Sequence, residues 1–387
     1  MKVSHEFLMP DYYPAFRCKM GNCRSACCEG WPISFSIADY FKLLGVECSP
    51  ELRRKLDCAM HLNDHPTPES YAQISPRYDG QCPMRLEDGR CGIQAELGED
   101  ALAAVCRLYP RSVHHDGGYE CSCANSCEAV LELFLNKEAP IAFERKNMSF
   151  DLPDTAEALA RHETVAQEQN IGLWLISIIQ NRAYSLTQRF LLLGEAVKAI
   201  EQALTVHDTQ RIDDLISGKE ALEKPQEFEI GKNQLRSGLE TMESMLEILD
   251  EGSNSIRSYG ESVLNYFAED GTEKYQRSRA HFQKLLPQWE VWFEHLLVNH
   301  MFFTRFPFQD PPMALHDKFL GLCTVYALVR FLCIGWATRH SSVEGIVDAA
   351  AGAFRLIDHT DFDRYAVHVL KKIGCNDREH FHQILCL

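Results

Sequence analysis

The stretch Cys18-Lys-Met-Gly-Asn-Cys23-Arg-Ser-Ala-Cys27-Cys28 places four cysteines within eleven residues. Thiols at such short spacings usually share a metal ion or cluster, or form a disulfide framework. Eight more cysteines follow, so that twelve of the sixteen in the chain lie between residues 18 and 127. The cysteines therefore predict that this part of the chain folds around metal or around disulfides.

The composition of the chain favours metal ligation over disulfide bonds as the role of these cysteines. The first residues, MKVSHEFLMPDYYPAF, carry no long apolar stretch behind a basic start, so we expect no secretory signal and a cytoplasmic location. Structural disulfides are rare in that reducing compartment. A chain of 387 residues can also bury an ample core without cross-links. Thiolate ligation is therefore the expected reason for the clustering.

The charge and hydropathy of the chain argue against two classes of partner, nucleic acid and membrane. The net charge of −16 argues against sequence-independent nucleic-acid binding, because that binding relies on Lys and Arg neutralising phosphates. The longest apolar run, Phe319 to Val329, ends at Arg330 and is too short to span a membrane. We expect neither nucleic acid nor membrane among the partners.

The pattern of the chain changes near residue 150. Before it, turn signals separate short amphipathic helices predicted over Ile37–Leu44, Leu97–Leu108 and Cys127–Leu135. The polar residues 48–76 are interpreted as an insertion or mobile connection. We predict a mainly α protein, with an irregular cysteine-rich metal-binding domain over 1–145 and an all-α domain over 146–387. Helices of the second domain are predicted over 155–168, 171–206, 209–219, 231–251, 256–268, 273–286, 288–303, 313–337, 342–356 and 361–372.

The kind of metal stays open at this stage. Thiolates suit tetrahedral zinc and iron–sulfur clusters equally well, and the irregular spacings, with no CxxC pair, favour a [4Fe–4S] cluster over zinc. Adjacent Cys27 and Cys28 can hardly both bind one ion, so one packs elsewhere or meets a second metal. Histidines near Cys58 (His61 and His65) and the pair His114-His115 are interpreted as exposed polar residues. The candidate ligands are Cys18, Cys23, Cys27, Cys28, Cys82, Cys91, Cys106 and Cys127.

Several catalytic motifs are absent from the sequence. It contains no G-x-G-x-x-G between a strand and a helix and no Walker A loop, which leaves Rossmann and P-loop nucleotide sites unsupported. It contains no G-x-S-x-G elbow. The CxxxCxxC signature of conventional radical enzymes is also missing.

The order of the motifs resembles the flagellin lysine-N-methylase (FliB-like) family, whose cysteine block is shared with a wider class of zinc- or iron-chelating domains. The resemblance covers about 10–135 and 170–340. Glu128 departs from it, standing where the family usually has proline, and Cys121 and Cys123 are additional. The motifs that carry it are Asp11-Tyr12-Tyr13, Phe16-Arg17-Cys18, Cys23-x3-Cys27-Cys28-x-Gly30-Trp31, Cys82-Pro83, Gly89-x-Cys91-x-Ile93-Gln94, Leu97-Gly98, Cys106-Arg107-x-Tyr109-Pro110-Arg111, Ser126-Cys127, Ile178-Ile179-Gln180-Asn181-Arg182-x-Tyr184-Ser185-Leu186-x-x-Arg189 (the Gln-Asn-Arg motif), Phe293-Glu294-x-Leu296-Leu297-Val298-Asn299 and Phe306-Pro307-Phe308.

The resemblance implies methyl transfer from S-adenosylmethionine to lysine side chains of flagellin, with a [4Fe–4S] cluster in the cysteine-rich domain. Arg107 would then hydrogen-bond cluster sulfur. Tyr12, Glu96 and Tyr109 are candidates for a general base only because they lie near cysteine motifs. The alternative is a non-catalytic zinc- or iron-binding protein whose helical domain binds a partner protein.

Overall fold

The structure is a computed structural model and describes residues 2–24, 27–30, 32–115, 118–152, 165–223, 231–250, 254–268, 271–308, 313–375, 378–385 and 387. The chain divides into two compact units. The cysteine-rich unit comprises Met1–Val130 and Ala142–His162, and the helical unit comprises Leu131–Ile141 and Glu163–Leu387.

The described part of the cysteine-rich unit combines short helices with two small sheets. One sheet has the strand order β5-β6-β1-β7 and the other the order β2-β4-β3. The division between the units falls inside helix α5. In chain order the elements are β1 (Lys2–Pro10), β2 (Ile33–Phe35), α1 (Ile37–Gly45), α2 (Pro50–Ala59), β3 (Met60–Leu62), β4 (Ala72–Ile74), α3 (Gly92–Leu97), α4 (Ala104–Leu108), β5 (Arg111–His114), β6 (Glu120–Cys123), α5 (Glu128–Leu135) and β7 (Phe143–Asp151).

The larger sheet joins the two ends of the unit's sequence. Strand β1 runs antiparallel to β7 in unbroken register from Lys2↔Asp151 to Pro10↔Phe143. It also meets β6 in parallel at Leu8↔Glu120. No successive strands were predicted for this region, because neither β1 nor β7 alternates cleanly between apolar and polar residues.

Segment 48–76 contains regular structure, so its interpretation as a mobile connection is wrong, whereas the alternative of an insertion stays a prediction. Ser49 caps α2 by accepting a hydrogen bond from the Leu52 N–H, and Pro50 stands at the first helical position. Leu52 and Leu56 lie one turn apart and are buried in the apolar core of the unit. The predicted helix over 97–108 is also interrupted, because Gly98 adopts φ +86 and separates α3 from α4.

Two glycines allow the loops before Cys23 and Cys91 to cross. Gly21 has φ +95 and Gly89 has φ +85, a conformation that other residues adopt at a cost. A Cβ atom on Gly21 would lie 2.7 Å from the Arg90 nitrogen, and one on Gly89 would overlap the Gly21 carbonyl oxygen. Contact between these loops therefore requires glycine on both sides.

In the helical unit, all regular secondary structure among the described residues from 165 onward is α-helical. The predicted helix over 155–168 falls mostly on 153–164, outside the described residues. The continuous helix predicted over 171–206 is instead two helices, because Ser185 and Gln188 form a capping box that starts a new one. The helices are α6 (Val165–Ile179), α7 (Leu186–Thr205), α8 (Thr209–Ile216), α9 (Lys232–Asp250), α10 (Asn254–Phe267), α11 (Gly271–Leu285), α12 (Trp289–Phe303), α13 (Leu315–His340), α14 (Val343–Ile357), α15 (Phe362–Lys372) and α16 (Arg378–Leu385).

Helix α13 is the centre of the helical unit and packs against α7, α10, α11, α14, α15 and α16. It is long and apolar enough to cross a membrane by length and composition alone, but 94% of its most apolar window is buried inside the protein. Arg330, which interrupts the apolar run, is buried with its guanidinium 4.4 Å from the Trp289 ring centre and donates to the Tyr326 hydroxyl. The helix therefore has the burial of a core helix.

Candidate functional site

Four cysteines from distant parts of the sequence form one neighbourhood, here called the first thiol group: Cys28, Cys82, Cys91 and Cys106. The Cys82 N–H donates to the Cys28 carbonyl (2.9 Å), and a bridge between Arg85 and Cys91 brings the next loop alongside. The thiolate charges of Cys28, Cys82 and Cys91 act on one another or on Cys106. The chain thus gathers thiols separated by up to 78 positions, from 28 to 106.

Cys28 is the thiol of this group that is most readily ionised. Hydrogen bonds from the Cys27 and Cys82 thiols, together with the positive charge of Arg85, hold the pKa of Cys28 well below its usual range. The same hydrogen bonds to Cys28 raise the pKa of Cys27 and Cys82. A thiolate is the form that binds metal, so Cys28 is prepared for ligation.

Backbone N–H groups face two of the other thiols, Cys82 and Cys91, and oppose the effect of burial. Burial raises the pKa of Cys91, while the N–H groups of Ile93 and Gln94 at the start of α3 lower it. The Met84 N–H acts in the same way on Cys82. Hydrogen bonds to sulfur tune iron–sulfur sites and stabilise thiolate ligands. This donor pattern therefore suits a thiolate-bound metal group.

Cys18, Cys23 and Cys127 form a second neighbourhood, which Glu128 holds together. Burial raises the pKa of Cys127 to about 12, and the charges of Cys23 and Cys18 contribute. Glu128, next to Cys127, is 2% exposed and accepts hydrogen bonds from the Lys19 ammonium (2.7 Å) and the Arg24 backbone N–H (3.1 Å). These two residues follow Cys18 and Cys23 directly, so one carboxylate ties both cysteines to the start of α5.

Among the described residues, no three His, Cys, Asp or Glu side chains converge closely enough to hold a single metal ion. The first thiol group nevertheless fits an iron–sulfur cluster by its chemistry, because it offers soft thiolate donors with N–H groups facing them. The irons of a cluster lie apart, so its ligands need not meet at one point.

The candidate base and cofactor residues all have structural partners. The Tyr12 hydroxyl accepts the Cys123 N–H (3.2 Å), and burial raises the pKa of Tyr12 well above its usual range. Glu96 accepts hydrogen bonds from the N–H and hydroxyl of Ser49 at the start of α2. The Tyr109 hydroxyl lies 2.9 Å from the Ser126 Oγ, and Arg107 donates to the Asp151 carbonyl (3.0 Å). Their roles in proton transfer or cofactor binding stay predictions.

Two of the sequence motifs meet in a buried ion network of the helical unit. Arg182 and Arg189, from the Gln-Asn-Arg motif, both bind Glu294 of α12 at 2.8 and 2.7 Å. Glu294 is fully buried and Arg189 is 3% exposed. The motifs were identified in the sequence, but their pairing was missed, because nothing in the local sequence shows which arginines a glutamate of α12 meets.

The same network holds the segment Leu131–Ile141. Arg182 donates to the Glu138 carbonyl, Gln180 to the Ile141 carbonyl (2.9 Å) and Trp292 to the Leu131 carbonyl (3.1 Å). His295 contacts the Ala139 carbonyl (3.0 Å), and burial lowers the pKa of His295. Residues of α12 and of the segment just after α6 thus hold the segment Leu131–Ile141, which follows Cys127, the last candidate ligand.

A second buried ion pair lies at the far end of α12. His300 Nδ1 is 2.9 Å from Asp358 Oδ1, and the two side chains are 3% and 1% exposed. Burial disfavours the imidazolium, but the hydrogen bond and charge of Asp358, with the charge of Asp363, outweigh this and raise the pKa of His300. The pair joins the end of α12 to the end of α14.

Comparison with known proteins places these features in a family. The chain is 24% identical over 368 residues to a lysine-N-methylase of Salmonella typhimurium, covering 87% of each chain. It is 24% identical over 356 residues to a lysine-N-methylase of Salmonella choleraesuis, covering 84% of each. The flagellar biosynthetic protein FliU of Salmonella muenchen is 27% identical over 142 residues, covering 36% of this chain and 83% of that protein.

No solved structure matches the chain significantly. The model of the FliB lysine N-methylase C-terminal domain matches residues 173–382, which include the buried Arg182–Glu294–Arg189 network. This match spans more than half of the chain and confirms the resemblance drawn from the motifs. The chain therefore belongs to the FliB lysine N-methylase family.

Proposed function

We propose that this protein transfers methyl groups from S-adenosylmethionine to lysine side chains of flagellin in the cytoplasm, with a [4Fe–4S] cluster bound in its cysteine-rich unit. Membership of a lysine N-methylase family carries the reaction class. A relative named for flagellar biosynthesis supports flagellin as the acceptor. The first thiol group supports the cluster.

The reaction forms a bond between the lysine nitrogen and the methyl carbon and breaks the bond between that carbon and sulfur. The acceptor is an ammonium at neutral pH and must first lose a proton, which a desolvated site favours by lowering the lysine pKa. The net charge of −16 favours encounter with a lysine-bearing protein. Neither deprotonation of the lysine nor encounter with the acceptor depends on a Rossmann fingerprint, so the absence of that motif from the sequence is compatible with methyl transfer.

Cys28, Cys82, Cys91 and Cys106 would hold the cluster through their thiolates. Arg85, beside Cys28, offsets the negative charge that several thiolates concentrate in one place. A bound cluster would supply iron that can ligate polar groups of a methyl donor and would also order the surrounding loops. The chain's own residues keep these thiols together through the Cys28–Cys82 backbone hydrogen bond and the loop crossing at Gly21 and Gly89.

The direct test is methylation by protein purified without oxygen. Incubation with S-adenosylmethionine and the host's flagellin should raise the mass of flagellin in steps of about 14 Da, one per methyl group added to lysine. Cys82→Ser should lose both the steps and the visible absorption of the cluster. Cys58→Ser changes an exposed cysteine of α2 and should retain both. An intact cluster without any mass increase would instead support the non-catalytic metal-binding alternative.

A further inference from the structure

Arg111, at the start of β5, connects two of the sequence motifs. It ends the motif that begins at Cys106, and its guanidinium carbon lies 5.0 Å from the ring centre of Phe16, the first residue of another motif. We propose that Arg111 and the Tyr13 hydroxyl together bind a carboxylate, and that this carboxylate belongs to the amino-acid end of S-adenosylmethionine. The inference rests on the proposed function, because it names residues that hold the methyl donor.

The fold of the cysteine-rich unit places these side chains beside one another. Arg111 pairs directly with Cys123 of β6, so their side chains lie on the same face of the sheet. Tyr13 and Phe16 begin and cap a short 3₁₀ helix after β1, and they are 3% and 1% exposed. The Cys123 N–H donates to the hydroxyl of Tyr12 (3.2 Å), which holds this turn against β6.

The Arg111 guanidinium has N–H groups available for a ligand. An arginine offers five donors, yet among the described residues the Arg111 side chain makes no hydrogen bond or ion pair, and its contact with Phe16 is a cation–π contact. In the same unit, Arg77, Arg85 and Arg90 each pair with a carboxylate. The planar donor fork of a partly buried arginine matches a carboxylate, so Arg111 favours a ligand of that kind.

The Tyr13 hydroxyl is a second donor at this place. It is buried and makes no hydrogen bond to a nitrogen or oxygen atom of the described residues, and the Cys121 thiol is its neighbour. Burial raises the pKa of Tyr13 well above its usual range, and the charge of Arg111 opposes this. The hydroxyl is therefore protonated and can donate. Because an unsatisfied buried donor costs free energy, a ligand oxygen that accepts from Tyr13 as well as Arg111 is stabilised by both.

Charge favours the methyl donor over the acceptor as the ligand of Arg111. An acceptor lysine arrives as an ammonium and is repelled by a guanidinium, whereas the amino-acid end of the donor carries a carboxylate. The acidic side chain of β6, Glu120, belongs to the residue that pairs with His114, and it lies on the opposite face of the strand from Cys123. Burial raises the pKa of Cys123, which the charge of Arg111 lowers and that of Cys127, a candidate ligand, raises. The carboxylate subsite therefore lies close to the candidate ligands.

Binding measurements on protein purified without oxygen test the proposal. The parent should bind S-adenosylmethionine ~10–100-fold more tightly than its decarboxylated analogue, which keeps the amine and the sulfonium but lacks the carboxylate. Arg111→Gln should bind the two compounds with nearly equal affinity, and Tyr13→Phe should lose part of the preference. Arg54→Gln, which changes an exposed arginine of α2, is the matched control and should keep the preference of the parent.

The outcomes separate this inference from the proposed function. A parent that contains its iron but does not bind S-adenosylmethionine would overturn the proposed function and the inference with it. Binding by the parent with an unchanged preference in Arg111→Gln would overturn the inference alone, as would a weaker affinity of that variant for flagellin only, since the carboxylate would then belong to the acceptor. Tyr13→Phe removes a single oxygen and keeps the ring, so it carries the test if Arg111→Gln does not fold. An unchanged preference in folded Tyr13→Phe protein would equally overturn the inference.

Discussion

Replacing Glu294 by glutamine should lower the free energy of unfolding by about 3–5 kcal/mol, the usual cost of removing one partner from a buried ion pair. Three hydrogen bonds converge on this carboxylate, from Arg182 at 2.9 and 2.8 Å and from Arg189 at 2.7 Å. A glutamine has one accepting oxygen, and its amide NH₂ would face a guanidinium donor. Burial prevents water from replacing the lost charge, since Glu294 is 0% exposed and Arg189 only 3%.

The assay is urea unfolding of the full chain, followed by circular dichroism and by tryptophan fluorescence. Trp292 lies on the same helix and donates to the Leu131 carbonyl, so it contributes a signal from this region to the emission of the chain's five tryptophans. The matched control is Glu240→Gln, because Glu240 pairs with Arg236 at 3.8 Å and both side chains are 66% exposed. That substitution should change stability by ~0.5 kcal/mol or less. A Glu294→Gln protein within about 1 kcal/mol of the parent would refute the reasoning from buried charge.

Two more predictions concern pH and the crossing loops. The pKa of His300 is raised in the folded protein, so its pairing with Asp358 stabilises the fold fully below the unfolded value of about 6.5 and less as pH rises through the raised value. The stability difference between the parent and Asp358→Asn should therefore shrink as pH rises above neutral, and a difference independent of pH would contradict this. Gly89→Ala should destabilise the protein by about 2 kcal/mol or more, because a positive φ and a backbone overlap both oppose a Cβ atom, and should reduce bound iron. Gly45→Ala, where a Cβ atom meets nothing within 4 Å, is the control for thermal unfolding and should be neutral or stabilising.

Much of the helical unit could be predicted because its helices bury regularly spaced apolar residues. The helices predicted over 288–303, 342–356 and 361–372 correspond closely to α12, α14 and α15. The break inside the helix predicted over 171–206 could also have been predicted, since Ser185 and Gln188 have the spacing of a capping box. Helix α16 was missed because it is short and polar on average.

The sheets of the cysteine-rich unit were harder to foresee. Strands β1 and β7 carry charged residues at several positions and pair across more than a hundred residues, so local periodicity gives no sign of their pairing. The candidate ligands could be identified by residue type and spacing. Which of them lie near one another could not, because this depends on the buried Glu128 and on the Cys28–Cys82 backbone hydrogen bond. Glu128 was visible in the sequence only as a departure from proline.

The pairing of β1 with β7 has a consequence for biosynthesis. Strand β1 is synthesised well before its antiparallel partner, residues 143–151, whereas every candidate ligand has emerged by residue 127. Contacts between such distant segments form slowly, and unpaired strand edges promote aggregation in the meantime. We expect metal bound by the nascent chain to stabilise the cysteine-bearing loops until β7 has been synthesised and can pair with β1. Cells short of iron should therefore accumulate this protein in insoluble form rather than as a soluble apoprotein.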